Sequence, residues 1–495
     1  MLLVMILGTL LVLWSFEVPY GAYLVLAAWC CTGFILLLRR RRDKTKKPLI
    51  YTGRAIRILI LALGICTILA GAFGLYLCEQ GIYGLGTPNE YRVALFVLMG
   101  GFIIIQFAPA AVSLSNVLLL PLQTTINRLY LITAKKRLAR IGPLVVGITG
   151  SYGKTSTKHF LEVLLGERYR TLKTPLSFNT LMGVCRVINE NLRPEHEVFL
   201  VEMGAYRPND IRELADFVHP TIGIITAIGP QHLERFKTIE SIEATKYELI
   251  ECLPKSGAAI FNNDDPRCRK LADRTTGKKV RRYGIDSSWP GLRVWAKEIT
   301  QTTQGLSLTL VDSEGNYETA KTVLLGRHNV SNILGAACAA LELGLTLKEI
   351  SAAIPKIQPI LHRLQPVRGK GGVTVIDDSY NSNPVGAMEA LHVLNDFKTG
   401  KRVLVTPGMV ELGENEDKCN EEFGAEAAKI CDYVLLVGVK QTQAILKGLE
   451  REKFSPERIR LVKDLDEATR HLQNILHAGD VVLFENDLPD LYIEA

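Results

Sequence analysis

Residues 144–158, LVVGITGSYGKTSTK, decide the fold of the central part of this chain. An apolar run that is typical of a buried strand leads directly into a glycine-rich turn and then into a segment that favours a helix. Gly150 and Gly153 let the backbone curl so that its N–H groups face into the turn. Lys154 adds a positive charge, and the hydroxyl of Thr155 can reach Mg²⁺. This order of strand, turn and helix predicts a loop that binds the phosphates of a nucleotide.

The spacing of this turn departs from the strict P-loop pattern. That pattern has a glycine five residues before Gly153, where this chain has Ile148. The nearest glycine, Gly147, lies one residue further toward the amino terminus. The segment HFLEVLLGERY that follows the turn is compatible with a helix, which favours nucleotide binding over a chance glycine-rich turn.

Beyond this loop the pattern is that of an α/β protein, in which short apolar strands alternate with amphipathic helices. Residues 293–325 alternate more strictly and predict small antiparallel hairpins, and GRHNVSNILGAACAALELG predicts a loop and a helix. The alternation restarts after HRLQPVRGKGG, so we place a domain boundary near residue 361. Two parallel-sheet domains in series are expected to enclose a shared cleft at the ends of their strands. The predicted strands are LVVGIT, VFLVEM, TIGIITAI, AAIFNN, VTVIDDSY, KRVLVTPG, YVLLVGV and DVVLFEN.

The amino-terminal region is apolar and predicts about four membrane spans, because a helix needs roughly 20 residues to cross a bilayer. The cluster RRRRDKTKK at 39–47 would hold the loop between the second and third spans in the cytoplasm. The sequence thus predicts a multi-pass protein of the cell (inner) membrane that contacts membrane lipid and has its α/β domains in the cytoplasm. The predicted spans lie near residues 2–16, 19–38, 56–78 and 93–115.

Charge and cysteine content exclude two classes of protein. The net charge of +7 is explained largely by the basic segments beside the predicted spans, so it gives no case for nucleic-acid binding. The ten cysteines are scattered and form no CxxC pair, so neither a disulfide framework nor a zinc site is indicated. Reduced cysteines fit this pattern best.

Ten segments, taken in order, resemble the Mur ligase family across roughly residues 143–480. The apolar and basic runs predict a transmembrane region at 1–125 and a basic linker at 126–142. The resemblance implies a P-loop central ATP-binding domain at 143–361 and a C-terminal Rossmann-like ligase domain at 362–495. The segments are ITGSYGKTSTK, TPLSFNTLMG, VEMGAYRPNDI, IGPQHLE, ATKYE, FNNDDP, GRHNVSN, HRLQ, IDDSYNSNP and GMVELGE.

The resemblance implies an enzyme that uses ATP and Mg²⁺ to join a carboxylate to an amine. The γ-phosphoryl group goes to the carboxylate, the amine attacks the acyl phosphate, and phosphate leaves, which requires positioning and charge neutralisation. Thr155 would contact the Mg²⁺ that bridges the phosphates, and Glu202 and His232 would hold a second metal ion. Lys246 resembles a lysine that family members carry as a carbamate, which would make it a further metal ligand. The implied phosphate-binding residues are Gly150, Ser151, Gly153, Lys154, Thr155 and Ser156.

The resemblance also assigns residues to the nucleoside. Arg363 either contacts the nucleoside or reaches the γ-phosphate across the cleft, as a planar guanidinium can. The asparagines have an alternative role in loops and helix caps. Tyr380, Asn381 and Asn383 are weaker candidates in the same loop as Asp378. The implied adenine and ribose contacts are Asn263, Asn329, Asn332, Arg363 and Asp378, and the implied catalytic residues are Lys154, His232, Lys246 and Arg363.

Three features depart from the family pattern. The α/β domain that grips the uridine nucleotide of the acceptor has no counterpart in the apolar residues 1–120. Asn420 stands where the family usually has a histidine, and the last strand runs into ENDLPD at 485–490 in place of a Lys-Gly-Ser-Arg turn. These departures leave the recognition of the acceptor and of the incoming amine open.

The sequence therefore predicts a membrane-anchored, ATP-dependent amide ligase of peptidoglycan or cell-envelope synthesis. Its expected partners are an amino acid or dipeptide and a nucleotide- or lipid-linked envelope precursor. One alternative is a ligase that extends a poly-amino-acid or a folate-like glutamate chain. A P-loop regulator or membrane transport ATPase is disfavoured, because the chain has the full set of ligase segments and no LSGGQ-type signature.

Overall fold

The computed structural model describes residues 51–79, 107–175, 178–230, 233–380 and 382–487 of the 495-residue chain. The chain divides into two compact units, Met1–Leu129 and Tyr130–Ala495.

The first unit contains helices α1 (Gly53–Glu79) and α2 (Phe107–Leu118), and α3 (Leu120–Ile141) begins in it and ends in the second unit. Arg54 Nη2 donates a hydrogen bond to Asn116 Oδ1 at 3.0 Å. A small apolar cluster within this unit is formed by Ala62, Cys66 and Ala111.

The predicted location of the chain in a membrane is wrong. A crossing needs roughly 20 apolar residues in a helix, and no single helix in the described ranges is long and apolar enough. Helix α1 covers the predicted span at 56–78, and α2 and α3 reach the required length and composition only as a pair bent by 45°. The predicted contact with membrane lipid is likewise unsupported. The predicted spans at 2–16 and 19–38, the basic cluster at 39–47 and residues 93–106 lie outside the described residues.

Helix α3 includes most of the segment that was predicted to be a basic linker. Its carboxyl-terminal part buries Ala134 and Leu138 in the second unit. Arg137 Nε donates to the carbonyl oxygen of Leu192 at 2.9 Å. The basic residues of this segment thus lie on a helix that leads directly into the first strand.

The second unit begins with a nine-stranded mixed sheet in the order β2-β3-β1-β4-β5-β6-β7-β8-β9. Strands β2 to β7 run parallel, and β7, β8 and β9 form the antiparallel hairpins predicted for residues 293–325. The strands are β1 Leu144–Thr149, β2 Thr171–Lys173, β3 Val198–Glu202, β4 Ile222–Ile225, β5 Ala258–Asn262, β6 Lys279–Gly284, β7 Leu292–Thr302, β8 Gly305–Asp312 and β9 Tyr317–Thr322. The helices around this sheet are α4 Lys154–Leu165, α5 Leu181–Asn191, α6 Asp210–Val218, α7 Leu233–Phe236, α8 Ile239–Glu251, α9 Pro266–Arg274, α10 His328–Glu342 and α11 Leu347–Ala353.

The central strands of this sheet are apolar along nearly their whole length because helices cover both faces. Every residue of β3, β4 and β5 is buried. One face packs against α4 and the alanine-rich helix α10, and the other packs against α5, α6 and α8. The small side chains of α10 let it lie close to the sheet, which brings its amino terminus to the edge where the parallel strands end.

A second, six-stranded mixed sheet has the order β10-β11-β15-β12-β13-β14, in which only β10 is antiparallel to its neighbour. The α/β fold predicted from the sequence is confirmed. The strands are β10 Gln365–Arg368, β11 Thr374–Asp378, β12 Arg402–Thr406, β13 Tyr433–Val437, β14 Ile459–Val462 and β15 Val481–Glu485. The helices are α12 Pro384–Asn395, α13 Glu416–Ile430, α14 Gln443–Arg451 and α15 Leu465–Ile475.

Helices α13 and α14 approach each other so closely that a glycine is required at the crossing. A Cβ atom at Gly448 would lie 2.0 Å from the carbonyl oxygen of Glu421 and 2.7 Å from the backbone nitrogen of Ala425. Both atoms belong to the backbone, so a side-chain rotation cannot relieve the clash. The approach holds α13 against the sheet and fixes the GMVELGE loop that precedes it.

We expect Gly448→Ala to lower the free energy of unfolding by about 3 kcal/mol, because overpacking against backbone forces the two helices apart. Chemical denaturation followed by circular dichroism measures this effect. Lys447→Ala, on the exposed side of the same helix, is the matched control and should change the value by less than about 0.5 kcal/mol. Equal effects of the two substitutions would contradict this account of the crossing.

Candidate active site

The glycine-rich turn lies where three parallel strands end. Strand β1 is paired with β3 on one side and β4 on the other, so the loops that follow all three meet at one edge of the sheet. Gly153 has a φ of 81°, and a Cβ atom there would lie 2.4 Å from Asn332 Oδ1. A Cβ atom at Gly150 would lie 2.0 Å from Thr226 Oγ1. Glycine is therefore required at both positions, because a Cβ atom would clash with a neighbouring side chain and because the backbone has a positive φ.

Hydrogen bonds fix the turn against the loop that follows β4. Ser151 Oγ donates to the carbonyl oxygen of Gly229 at 2.9 Å and accepts from the Gly229 backbone nitrogen at 2.9 Å. The Thr226 hydroxyl donates to the carbonyl oxygen of Tyr152. Helix α4 starts directly after the turn, and no side chain caps its amino terminus. Its first N–H groups can therefore bind an anion.

Lys154 folds back over the turn. Its Nζ donates to the carbonyl oxygens of Gly150 at 2.6 Å and Ser151 at 3.1 Å. Loss of solvation lowers the pKa of Lys154 to about 8, with Glu202 acting to raise it and Arg363 to lower it further. The ammonium group is held by neutral carbonyls, so an incoming phosphate would gain a cation that is already positioned.

Glu202, at the end of β3, forms a buried ion pair that the sequence did not indicate. Its Oε2 lies 2.8 Å from Lys158 Nζ, and each of these side chains is only 2% exposed. Burial alone would raise the pKa of the Glu202 carboxyl, but Lys158 and Lys154 outweigh it and hold the pKa below its ordinary value. Lys158 lies one helical turn after Lys154 in the quoted motif, and this spacing is the signal that could have found it.

The segment TPLSFNTLMG orients the same carboxylate. Thr174 Oγ1 accepts a hydrogen bond from the Glu202 backbone nitrogen at 3.1 Å, and Asn179 Nδ2 donates to Glu202 Oε1 at 3.4 Å. A Cβ atom at Gly204 would clash with the Asn179 side chain at 2.6 Å, so this glycine leaves room for the amide. Asn179 is thus a site residue that was missed, although its segment was recognised.

Lys246 lies on α8 and is buried beside this group. Its Nζ has no hydrogen bond or ion pair to any described residue, and it lines the same cavity as Glu202. Burial and then the charge of Lys154 lower the pKa of Lys246 well below its ordinary value. His232, the other predicted metal ligand, lies outside the described residues.

Two adjoining cavities meet at the turn. The smaller has a volume of about 220 Å³ and the larger about 500 Å³. Tyr152, Gly153 and Arg363 line both, so the guanidinium of Arg363 stands where the two cavities join. It also lies 4.6 Å from the centre of the Tyr380 ring, which holds it by a cation–π contact. The smaller cavity brings together the predicted residues Lys154, Thr155, Glu202, Lys246 and Arg363.

The larger cavity contains three of the residues predicted to contact the nucleoside, namely Asn329, Asn332 and Asp378. Asn263 does not line it, because its Oδ1 accepts a hydrogen bond from Arg282 Nη1 at 3.2 Å. The preceding residue, Asn262, lines the cavity instead and donates to the carbonyl oxygen of Thr226 at 2.9 Å. Side chains alternate in direction along a strand, so sequence position alone could not choose between these neighbours.

Asn383 and Asn420, both named in the sequence analysis, make structural hydrogen bonds. Asn383 lines both cavities, and its Oδ1 accepts from the Gly386 backbone nitrogen at 3.0 Å and caps helix α12. Asn420, which replaces a histidine of the family pattern, is buried and bridges both backbone groups of Met409 at 2.9 Å. Asn420 therefore holds the GMVELGE loop onto α13.

The chain matches two family models and many curated relatives. Residues 148–340 match the Mur ligase middle domain, and residues 362–485 match the Mur ligase, glutamate ligase domain. The UDP-N-acetylmuramoyl-tripeptide--D-alanyl-D-alanine ligase of Mycobacterium tuberculosis (strain ATCC 25618 / H37Rv) is 31% identical over 362 residues, which cover 69% of this chain and 70% of the relative. The ligase of the same name from Escherichia coli (strain K12) is 32% identical over 303 residues, covering 61% of this chain and 66% of the relative.

Solved structures give the same result. MurF from Acinetobacter baumannii superimposes with a TM-score of 0.66 at 25% identity and covers 74% of this chain and 78% of its own. MurF ligase from Thermotoga maritima, solved in complex with ADP, superimposes with a TM-score of 0.64 at 26% identity and covers 74% of this chain and 81% of its own.

We expect Lys158→Met to lower the free energy of unfolding by about 3–5 kcal/mol, because it leaves the Glu202 carboxylate buried without its cation. Urea denaturation measures the loss, and adding Glu202→Leu to the same chain should recover most of it. Lys356→Met, which breaks the exposed pair with Glu167, is the control and should cost less than about 1 kcal/mol. If Lys158→Met is as stable as the wild type, the pair is not a structural requirement.

Proposed function

Because the chain belongs to the Mur ligase family, we propose that its two adjoining cavities hold the nucleoside of ATP and the reacting groups of a ligase. It is an ATP-dependent, ADP-forming ligase of peptidoglycan synthesis that uses Mg²⁺. The larger cavity has the volume and the largely apolar walls that suit a nucleoside. The smaller cavity has the charged side chains that phosphoryl transfer needs.

The observation that carries this proposal is the convergence of cations around the turn. Lys154, Arg363 and the uncapped amino terminus of α4 all face the region where the cavities join. We assign the β- and γ-phosphates of ATP to this region, with Ser151 and Ser156 in the surrounding loop and Thr155 as the Mg²⁺ contact. Mg²⁺ supplies charge neutralisation between the phosphates when it is bound.

The proposed reaction has two steps. A carboxylate oxygen of the acceptor attacks the γ-phosphorus, ADP leaves, and an acyl phosphate forms. The amine then attacks the acyl carbon, inorganic phosphate leaves, and the nitrogen loses its proton. Arg363 stands at the junction of the cavities, so we assign it to the charge that develops on the transferred phosphoryl group rather than to the nucleoside.

A second metal ion requires a ligand that Lys246 can provide only after modification. The described residues contain no group of three His, Cys, Asp or Glu side chains that could hold a metal, and Lys158 already neutralises Glu202. A neutral buried amine can attack CO₂, form an N–C bond and release one proton, which yields a carbamate. We propose that Lys246 is carbamylated, and that the carbamate, Glu202 and His232 are the ligands of this ion.

Lys246→Ala is expected to lower kcat at least about 100-fold, since the metal would lose an anionic ligand. NMR of the protein in isotopically labelled bicarbonate provides a readout that is independent of turnover. The wild type should give a protein-bound carbamate signal that Lys246→Ala lacks, and Lys255→Ala, an exposed lysine on the loop after α8, should keep it. Full activity of the Lys246→Ala enzyme would refute the carbamate.

We propose that the substrates are those in the names of the matched relatives, a UDP-N-acetylmuramoyl tripeptide and D-alanyl-D-alanine. The acceptor carboxylate would lie in the smaller cavity beside Lys154 and Lys246. The end of β15 is acidic in this chain, where the family pattern has a lysine. The amine is therefore the substrate whose identity most needs a direct test.

The test is phosphate release by the purified full chain with MgATP, the UDP-linked tripeptide, and a panel of amino acids and dipeptides. We expect release only when acceptor and amine are both present, with D-alanyl-D-alanine giving the highest kcat/KM. Lys154→Met is the control that should abolish release, since the phosphates lose their positioned cation. ATP binding without release for any pair of substrates would contradict the ligase assignment.

A further inference from the structure

Strands β11 and β15 bring two carboxyl groups together at the larger cavity. The strands are parallel neighbours, and Asp378 is the register partner of Glu485. Each residue is the last of its strand, so both side chains leave the sheet at the edge that faces the cavity, and both line it. Glu485 is only 1% exposed.

The hydrogen bonds of this pair are incomplete. Ser382 Oγ donates to Glu485 Oε1 at 2.5 Å, and the Leu364 backbone nitrogen donates to Asp378 Oδ1 at 3.1 Å. Glu485 Oε2 is buried and receives a hydrogen bond from no described donor. A buried acceptor without a donor is costly, so this oxygen requires either a proton or a donor from a ligand.

The electrostatics of the pair favour a neutral donor. Burial and then the adjacent Asp378 raise the pKa of Glu485 well above its ordinary value. The remaining charges around Asp378 come from Arg363 and His328, and His328 also contacts Glu389. A hydroxyl group can donate a hydrogen bond to a carboxyl oxygen without bringing a further charge into this buried site. Hydroxyl groups fit this environment better.

This inference rests on the proposed binding of ATP in the larger cavity. We propose that Glu485, together with Asp378, binds the hydroxyl groups of the nucleotide ribose, with Glu485 Oε2 accepting a hydrogen bond from one of them. Two neighbouring acceptors match two vicinal donors, and the phosphate-binding turn at Gly153 lines the same cavity. Glu485 then determines the preference of the enzyme for ribonucleotides over deoxyribonucleotides.

Calorimetric titration of the full chain with ADP, 2′-deoxyADP and 3′-deoxyADP in the presence of Mg²⁺ tests this proposal. The wild type should bind ADP at least about tenfold more tightly than one of the deoxy analogues, since a hydrogen bond to a buried carboxyl is lost. Glu485→Ala should reduce this preference to about twofold or less. Glu485→Gln should do the same, because its amide donates to Asp378 and leaves no free acceptor. Glutamine keeps the shape of the glutamate side chain, so Glu485→Gln still measures the change in nucleotide preference if Glu485→Ala fails to fold.

Glu389→Gln is the matched control, because Glu389 is another acid that lines the cavity but is engaged by His328. It should retain the wild-type preference. Equal affinity of the wild type for all three nucleotides would overturn the proposal, as would an equal loss of preference in Glu389→Gln. Failure of the wild type to bind ADP at all would instead refute the assignment of the nucleotide to this cavity, so the two failures are distinguishable.

Discussion

The close approach of the turn at residues 150–153 to its neighbours is the constraint on which the site depends. No Cβ atom fits at Gly150 or Gly153, because Thr226 and Asn332 occupy that space. The turn thereby contacts the loop after β4 and the amino-terminal part of α10 at once. This contact aligns the end of β1, the uncapped start of α4 and the cavity walls without any ligand, so that little reorganisation is needed when a nucleotide binds.

The charges around the turn explain why a carboxylate is buried there. Lys154, Lys158, Lys246 and Arg363 surround the carboxylate of Glu202 in and beside the smaller cavity. Without a ligand, burial keeps the pKa of the nearby lysines low and Lys158 compensates Glu202. Phosphates and an acceptor carboxylate bring the missing negative charge. The site is therefore built to bind anions first, and any second metal ion depends on the anions that arrive with the substrates or on Lys246.

The sequence predicted the parts of this protein that follow from local pattern. Apolar strands, the glycine turn and the β7–β9 hairpins each need only a few neighbouring residues to be recognised, and the ends of the predicted segments lie within three residues of the observed ones. Asn262 and Asn263 show where such reasoning stops, because the direction of a side chain at a strand end depends on the packing around it. The membrane prediction failed for the opposite reason. Composition was read over long runs, and no single helix in the described ranges is both long and apolar enough to cross a membrane.

At the end of β15, one residue changes which groups the site must bind, while the fold stays the same. A lysine at this position, beside Asp378, would form an ion pair that needs nothing further. Glu485 keeps the strand and its register but places a second carboxyl beside Asp378, and its Oε2 receives no hydrogen bond from the described residues. Burying such a pair lowers the stability of the folded protein unless a ligand binds there, because Glu485 Oε2 is shielded from solvent and lacks a donor among the described residues. The acidic pair is therefore best explained by what it contacts in the loaded enzyme.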